Sequence, residues 1–245
     1  MAELEVCANS LASALAAQEG GAIRVELCEN LADGGTTPSY GQIALTRKML
    51  HIEVFPIIRP RGGDFLYTDL EFEIMKADVA ACKSLGCDGV VFGILNPDGT
   101  IDEERCKVLM QLAAPMKVSF HRAFDMTRDL PEALEILIKL GFKRVLSSGG
   151  RSTALEGAEA LAGLVKLAGG RIEVMPGAGI HPGNVSQLLE KTAAKVVHGS
   201  LMQARNSSMI FRNEQSKMGA VDDEYALKVT SVQLVREVVG EIARF

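Results

Sequence analysis

Residues 52–85, IEVFPIIRPRGGDFLYTDLEFEIMKADVAACKSL, hold one complete strand–loop–helix unit, and its reading decides the fold. Ile52 to Ile58 is a short apolar run rich in β-branched residues, which predicts a buried strand. Leu70, Ile74, Ala77, Ala81 and Leu85 recur at helical spacing, which predicts an amphipathic helix with that face toward the core. Between them lies Arg59 to Tyr67, which gathers two guanidiniums, the Asp64 carboxylate and a Gly-Gly turn at the strand's C-terminal end. Guanidiniums are planar forks for carboxylates and phosphates, and α/β proteins place their sites at the C-terminal ends of strands. The competing reading is an ion-paired loop that braces the scaffold.

The same unit repeats along the chain. Further strands are expected at Leu4 to Ala8, Ile23 to Cys28, Gly89 to Gly93, Lys117 to Arg122, Arg144 to Ser147, Ile172 to Met175 and Lys195 to His198. Helical faces fall between them, at Leu130, Leu134, Leu137 and Ile138 and at Leu155, Ala158, Ala162 and Val165. A last helix, capped by Thr230 or Ser231, carries Val232, Val235, Val239 and Ile242. Eight such units predict an α/β fold of the TIM (β/α)8 barrel type, one domain over residues 1–245. A doubly wound open sheet is the alternative, but no GxGxxG follows the first strand. Residues 201–229 form a long segment between the last strand and the last helix, suited to covering the barrel mouth or making a subunit contact.

A hydrophobic content of 47% with 23% charged residues is ordinary for a water-soluble chain. The net charge of -5 and the lack of a Lys/Arg block argue against a nucleic-acid partner. No apolar run approaches the roughly 20 residues of a membrane span, and the N-terminus lacks signal-peptide features. The expected location is therefore cytoplasmic, with no membrane partner. Five cysteines, an odd number without a CxxC, do not suggest a disulfide framework.

Strand side chains alternate between faces. Burying the apolar set against the helices turns Glu5, Cys7 and Asn9 of the first strand inward, with Arg24, Glu26 and Cys28 of the second. Glu53, Phe55, Ile57 and Arg59 follow from the third, Ser119 and His121 from the fifth, and Glu173 and Met175 from the seventh. The eighth strand leaves open whether Val196 and His198 or Val197 and Gly199 face inward. Buried charges must pair or reach water. Glu5, Arg24 and Glu53, near strand starts, suit a plug at the barrel bottom. Glu26, Cys28, Arg59 and His121, near strand ends, suit a site.

Three constellations carry candidate chemistry. Cys7 and Cys28 on adjacent strands offer two soft ligands for Cu(I) or Zn(II), with Met175 or His121 as an added ligand; two buried, reduced cysteines acting as small hydrophobes are the alternative. Glu26 and His121 suit a general base and acid, with Arg59, Arg61 and Arg122 orienting an anionic substrate. The loops Ser147–Gly150, with Ser148 and Gly149, and Pro176–Gly179, with Gly177 and Gly179, suit backbone binding of phosphate, as does Gly199-Ser200. No lysine stands at a strand's C-terminal end, which disfavours a Schiff-base aldolase. The four histidines form neither HxH nor HExxH, which disfavours a hydrolytic zinc centre. No organic cofactor is indicated.

RVELCENLADGGTTPS (24–39), RPRGGDFLY (59–67), DGVVFGILNPDGTID (88–102), SFHRAFD (119–125), VLSSGG (145–150), MPGAGI (175–180) and FRN (211–213) together resemble the CutC family of copper homeostasis proteins. The resemblance spans essentially the whole chain. It implies a TIM barrel, a cytoplasmic homo-oligomer (dimer or larger) and a role in copper handling. Cys7 and Cys28 match the Cu(I)-carrying positions and His198 the family histidine, while VVHGSLMQAR (196–205) departs from the usual strand-eight stretch. The rival expectation is an enzyme, of lyase, isomerase or hydrolase type, on a small anionic or phosphorylated metabolite.

Overall fold

A parallel strand followed by a helix recurs eight times in the computed structural model of the chain, which describes residues 2–213, 215–216, 218 and 223–245. The strands are β1 (Glu3–Ala8), β2 (Arg24–Leu27), β3 (Glu53–Pro56), β4 (Gly89–Phe92), β5 (Lys117–Phe120), β6 (Arg144–Ser147), β7 (Glu173–Pro176) and β8 (Val196–Gly199). They form two four-stranded parallel sheets, β3-β2-β1-β8 and β4-β5-β6-β7. Single parallel bridges, Ile57 to Val91 and Gly177 to His198, join the sheets and complete the cyclic order of a TIM-type barrel.

The helices are α1 (Leu11–Gly20), α2 (Tyr40–Met49), α3 (Asp69–Ser84), α4 (Glu103–Ala113), α5 (Leu130–Leu140), α6 (Ala158–Ala168), α7 (Val185–Thr192) and α8 (Val232–Ile242). Local chemistry sets their starts. Thr68 and Glu71 form a reciprocal capping box on α3, and Ser231 caps α8 by accepting from Leu234 N. The main apolar core lies between this helical layer and the outward faces of the strands. In α3 the buried stripe is Met75, Val79 and Cys82, not the predicted Leu70–Ile74 face; Leu70 is 80% exposed. In α6 Ala158 is buried as predicted, but the stripe continues through Leu161, Leu164 and Ala168, with Ala162 and Val165 only partly buried. Each helix carries two apolar stripes at valid spacing, and only docking against the barrel selects one.

The barrel interior begins with a charged layer. Arg24 Nε donates to Glu5, and Nη1 donates to Glu53 at 3.2 Å. The Arg24 and Arg144 guanidiniums lie 5.4 and 5.3 Å from the Phe55 ring centroid, and Arg144 Nε donates to Glu173 at 2.7 Å. Paired in this way, the expected bottom plug meets the cost of its burial.

Between β8 and α8 the chain is not simply a loop. It builds an antiparallel pair, β9 (Met202–Asn206) and β10 (Ala226–Thr230), with Met202 opposite Thr230. Asn9 Nδ2 donates to Lys228 O at 3.0 Å and Thr230 N to Ser13 Oγ at 3.1 Å, so the pair is tied to the start of the first βα unit. Part of the segment expected over 201–229 lies outside the described residues. Among the described residues, no helix is long and apolar enough to cross a membrane.

Candidate functional site

β1 and β2 are hydrogen-bonded neighbours with Cys7 opposite Glu26, and Cys28 N donates to Ala8 O at 3.0 Å just beyond the last β2 residue. Alternation turns Cys7 and Cys28 inward at almost one height, and their Sγ atoms lie 3.1 Å apart. Both are buried, against Phe55, Ile57 and Val91. The hydrogen bond with Cys28, then burial, pushes the Cys7 thiol well above its ordinary pKa. Met175 does not join them. It packs with Leu146 and Val196, and its sulfur is 4.0 Å from Arg24 Nη2 in the layer below.

The bridge from Gly177 to His198 resolves the register of β8: Val196 and His198 face inward. Gly177 is required by that approach, because a Cβ there would lie 3.2 Å from His198 Cβ and 2.5 Å from Leu146 Cδ1. Glu5 stands opposite His198 across the β1–β8 pair, and His198 Nδ1 is 2.7 Å from Glu5 Oε1. His198 Nε2 is 3.5 Å from Glu26 Oε2. Cys7, Glu26 and His198 therefore present sulfur, oxygen and nitrogen ligand atoms within 4.8 Å of one another. Burial alone would raise Glu5, but Arg24 and His198 overcome it and hold its pKa at about 2. Burial raises Glu26 above the usual carboxylate range. Burial opposes protonation of His198, yet its bonds to Cys7 and Glu5 and the nearby Glu26 charge lift it well above an ordinary histidine.

Sequence reasoning pairs Glu26 with His121 as base and acid; the structure pairs it with His198 instead. His121, N-terminal to a short 3-10 turn at Arg122–Met126, accepts from Ala123 N at Nδ1 (3.2 Å), which leaves the proton on Nε2. Burial, reinforced by the Arg59 charge, pushes its pKa down to about 3. A neutral group of that kind is a poor proton shuttle at neutral pH but a good hydrogen-bond donor. Glu5, read from sequence as plug only, also belongs to the site; nothing in the sequence signalled it, because its place opposite His198 depends on the register between β1 and β8.

A cavity of about 240 Å³ opens at the C-terminal mouth above these groups. Cys7, Glu26, Arg59, His121, Arg122, Gly179 and His198 line it, whereas Arg61 and Asp64 do not. Arg61 is spent on its own loop, donating to Glu71, Asp64 and the carbonyls of Gly62 and Leu66, and stacking on Tyr67. The bracing reading of the Arg59–Tyr67 loop holds for those two residues. The Ser148–Gly149 phosphate site is likewise not free. Ser148 N and Gly150 N donate to the Asp125 carboxylate at 3.0 Å, as does Ser147 Oγ at 2.6 Å. Arg122 Nε adds a contact to Asp125 at 2.8 Å, so the chain's own carboxylate takes the donors an outside anion would need. Gly149, at φ +69°, lets this loop press against the Gly157 backbone.

The CutC family model matches residues 2–203. A CutC family protein of Chromobacterium violaceum is 53% identical over 234 residues, covering 95% of each chain. The human copper homeostasis protein cutC homolog is 51% identical over 235 residues, 95% of this chain and 86% of its own. The crystal structure of CutC from Streptococcus agalactiae superposes with a TM-score of 0.79 at 38% identity, covering 82% of this chain and 99% of that one. Phosphoribosylanthranilate isomerase of Thermotoga maritima shares the fold alone, at 12% identity and a TM-score of 0.60 over all of both chains.

Proposed function

The chain belongs to the CutC family, and from that premise we propose that it serves copper homeostasis in the cytoplasm, carrying Cu(I) on Cys7 and Cys28. The observation that carries this reading is the contact between the two sulfurs at 3.1 Å. Metal–sulfur bonds near 2.3 Å let two sulfurs share one ion up to about 4.6 Å apart, so small side-chain rotations suffice. Cu(I) favours thiolates and tolerates low coordination. Glu26 beside Cys7, a carboxylate that burial makes more basic, offers a place for a proton that the thiols must release, and the nearby His198 charge favours the thiolate. Copper is cargo here, taken through the open mouth. Exposed Met209, Ile210 and Phe211 beyond β9 offer a second copy of the chain an apolar contact, so the carrier is a homo-oligomer, a dimer or tetramer.

Anaerobic titration against a Cu(I) chelator tests the site. One tightly held equivalent per chain is expected, abolished by Cys7→Ser with Cys28→Ser. Unchanged stoichiometry in the double variant would remove the assignment.

A further inference from the structure

Copper carriage leaves two groups at the mouth without a task. Arg59 is only 4% exposed, and no acidic side chain among the described residues lies within ion-pair distance of it. Its Nη1 donates to the carbonyls of Asp33 and Gly35, both at 2.7 Å, and Nη2 to that of Gly63 at 2.8 Å. The guanidinium also stacks over Phe65 at 5.0 Å. These contacts pin its plane, but they are neutral, and the buried charge keeps no counter-charge. Of the two N–H groups these bonds leave over, Nε–H is buried and has no acceptor. His121, also 4% exposed, repeats the pattern: Nδ1 is spent on Ala123 N, and the buried Nε2 has no partner. The Phe65 ring lies 5.0 Å from both the Arg59 guanidinium and the His121 ring centroid, and all three residues line the same cavity.

A cationic donor and a neutral donor, both oriented by their other bonds and both left unmade, define what is missing: an acceptor carrying negative charge. Neither can ligate Cu(I), because each bears a proton on the nitrogen concerned. We propose that the cavity is a binding site for a small oxyanion metabolite, a carboxylate or a phosphate, whose oxygens accept from Arg59 Nε and His121 Nε2. This site is separate in its atoms from the sulfur pair. Its ligand would meet Glu26 and His198 at the other wall of the cavity. Because His121 is held neutral by burial and by Arg59, it donates without needing to be protonated.

Selectively ¹⁵N-histidine-labelled protein tests this directly, with malonate and inorganic phosphate as probes. A saturable shift of the His121 Nε2–H signal with either probe is expected; the tighter one assigns carboxylate or phosphate. His121→Phe, which keeps a ring between Phe65 and Phe120, should weaken that probe's binding by calorimetry at least tenfold and leave Cu(I) stoichiometry as in the parent. No shift with either probe, or full binding to His121→Phe, would overturn the proposal. A copper site lost in the cysteine double variant with oxyanion binding retained separates the two readings.

Discussion

Burial turns His121 from an ordinary titrating histidine into a fixed donor, and the cost is visible in linkage. Its folded pKa of about 3 lies below the ordinary value of 6.5. Between those values the unfolded chain binds a proton that the folded chain refuses. Stability therefore rises with pH across this window and is lost as pH falls, by about 1.4 kcal/mol per pH unit from this group. Glu5 adds a loss of the same sign below its ordinary 4.5, since its folded pKa is about 2. Urea unfolding of His121→Gln from pH 7 to pH 4 isolates the histidine part: the variant should lose stability less steeply than the parent, and equal slopes would refute the assignment. Strand alternation alone predicted that Cys7, Glu26, Arg59 and His121 face one space. Alternation could not say that Glu26 meets His198 rather than His121, because that depends on the register between β8 and β1, strands far apart in the chain.

Loops and helices show where local pattern runs out. The Ser147–Gly150 turn has the composition of an anion nest, and it is one, but its anion is Asp125 from the preceding βα unit. Asp125→Ala should leave several donors unpaired at once and cost about 3 kcal/mol, measured by urea unfolding. Loss of under about 1 kcal/mol would mean that water replaces the carboxylate. Thr68→Ala, by contrast, removes one half of the α3 capping box and should cost about 1 kcal/mol. The existence of α3 was legible from its period. Its buried face was not, because Leu70–Ile74 and Met75–Val79–Cys82 are equally helical and only contact with the barrel distinguishes them.

The whole barrel couples its bottom to its mouth. Arg24 joins Glu53 and Glu5, and Glu5 reaches His198 at the cavity. Arg24→Met would strand buried carboxylates and should cost about 3–5 kcal/mol in thermal or chemical unfolding. The projecting segment beyond β9 is the corresponding outward feature, with Ile210 fully exposed and Phe211 75% exposed. Ile210→Asp with Phe211→Asp should move the mass measured by light scattering toward that of one chain; an unchanged oligomer would place the contact elsewhere. The amino-acid sequence by itself determined eight βα units and the inward-facing residues of the first, second, third, fifth and seventh strands, because period and strand alternation are local properties of the chain. Only the tertiary structure decided which of those residues touch: the sulfur pair at 3.1 Å, Glu5 and Glu26 on His198, and Asp125 in its nest. Those contacts join residues up to 193 positions apart, and they exist only once closure of the barrel fixes the height of each strand against the next. In the Arg59–Tyr67 loop the same division holds. Its chemistry was plain in the sequence, yet packing spent Arg61 on the scaffold and left Arg59 Nε buried without an acceptor.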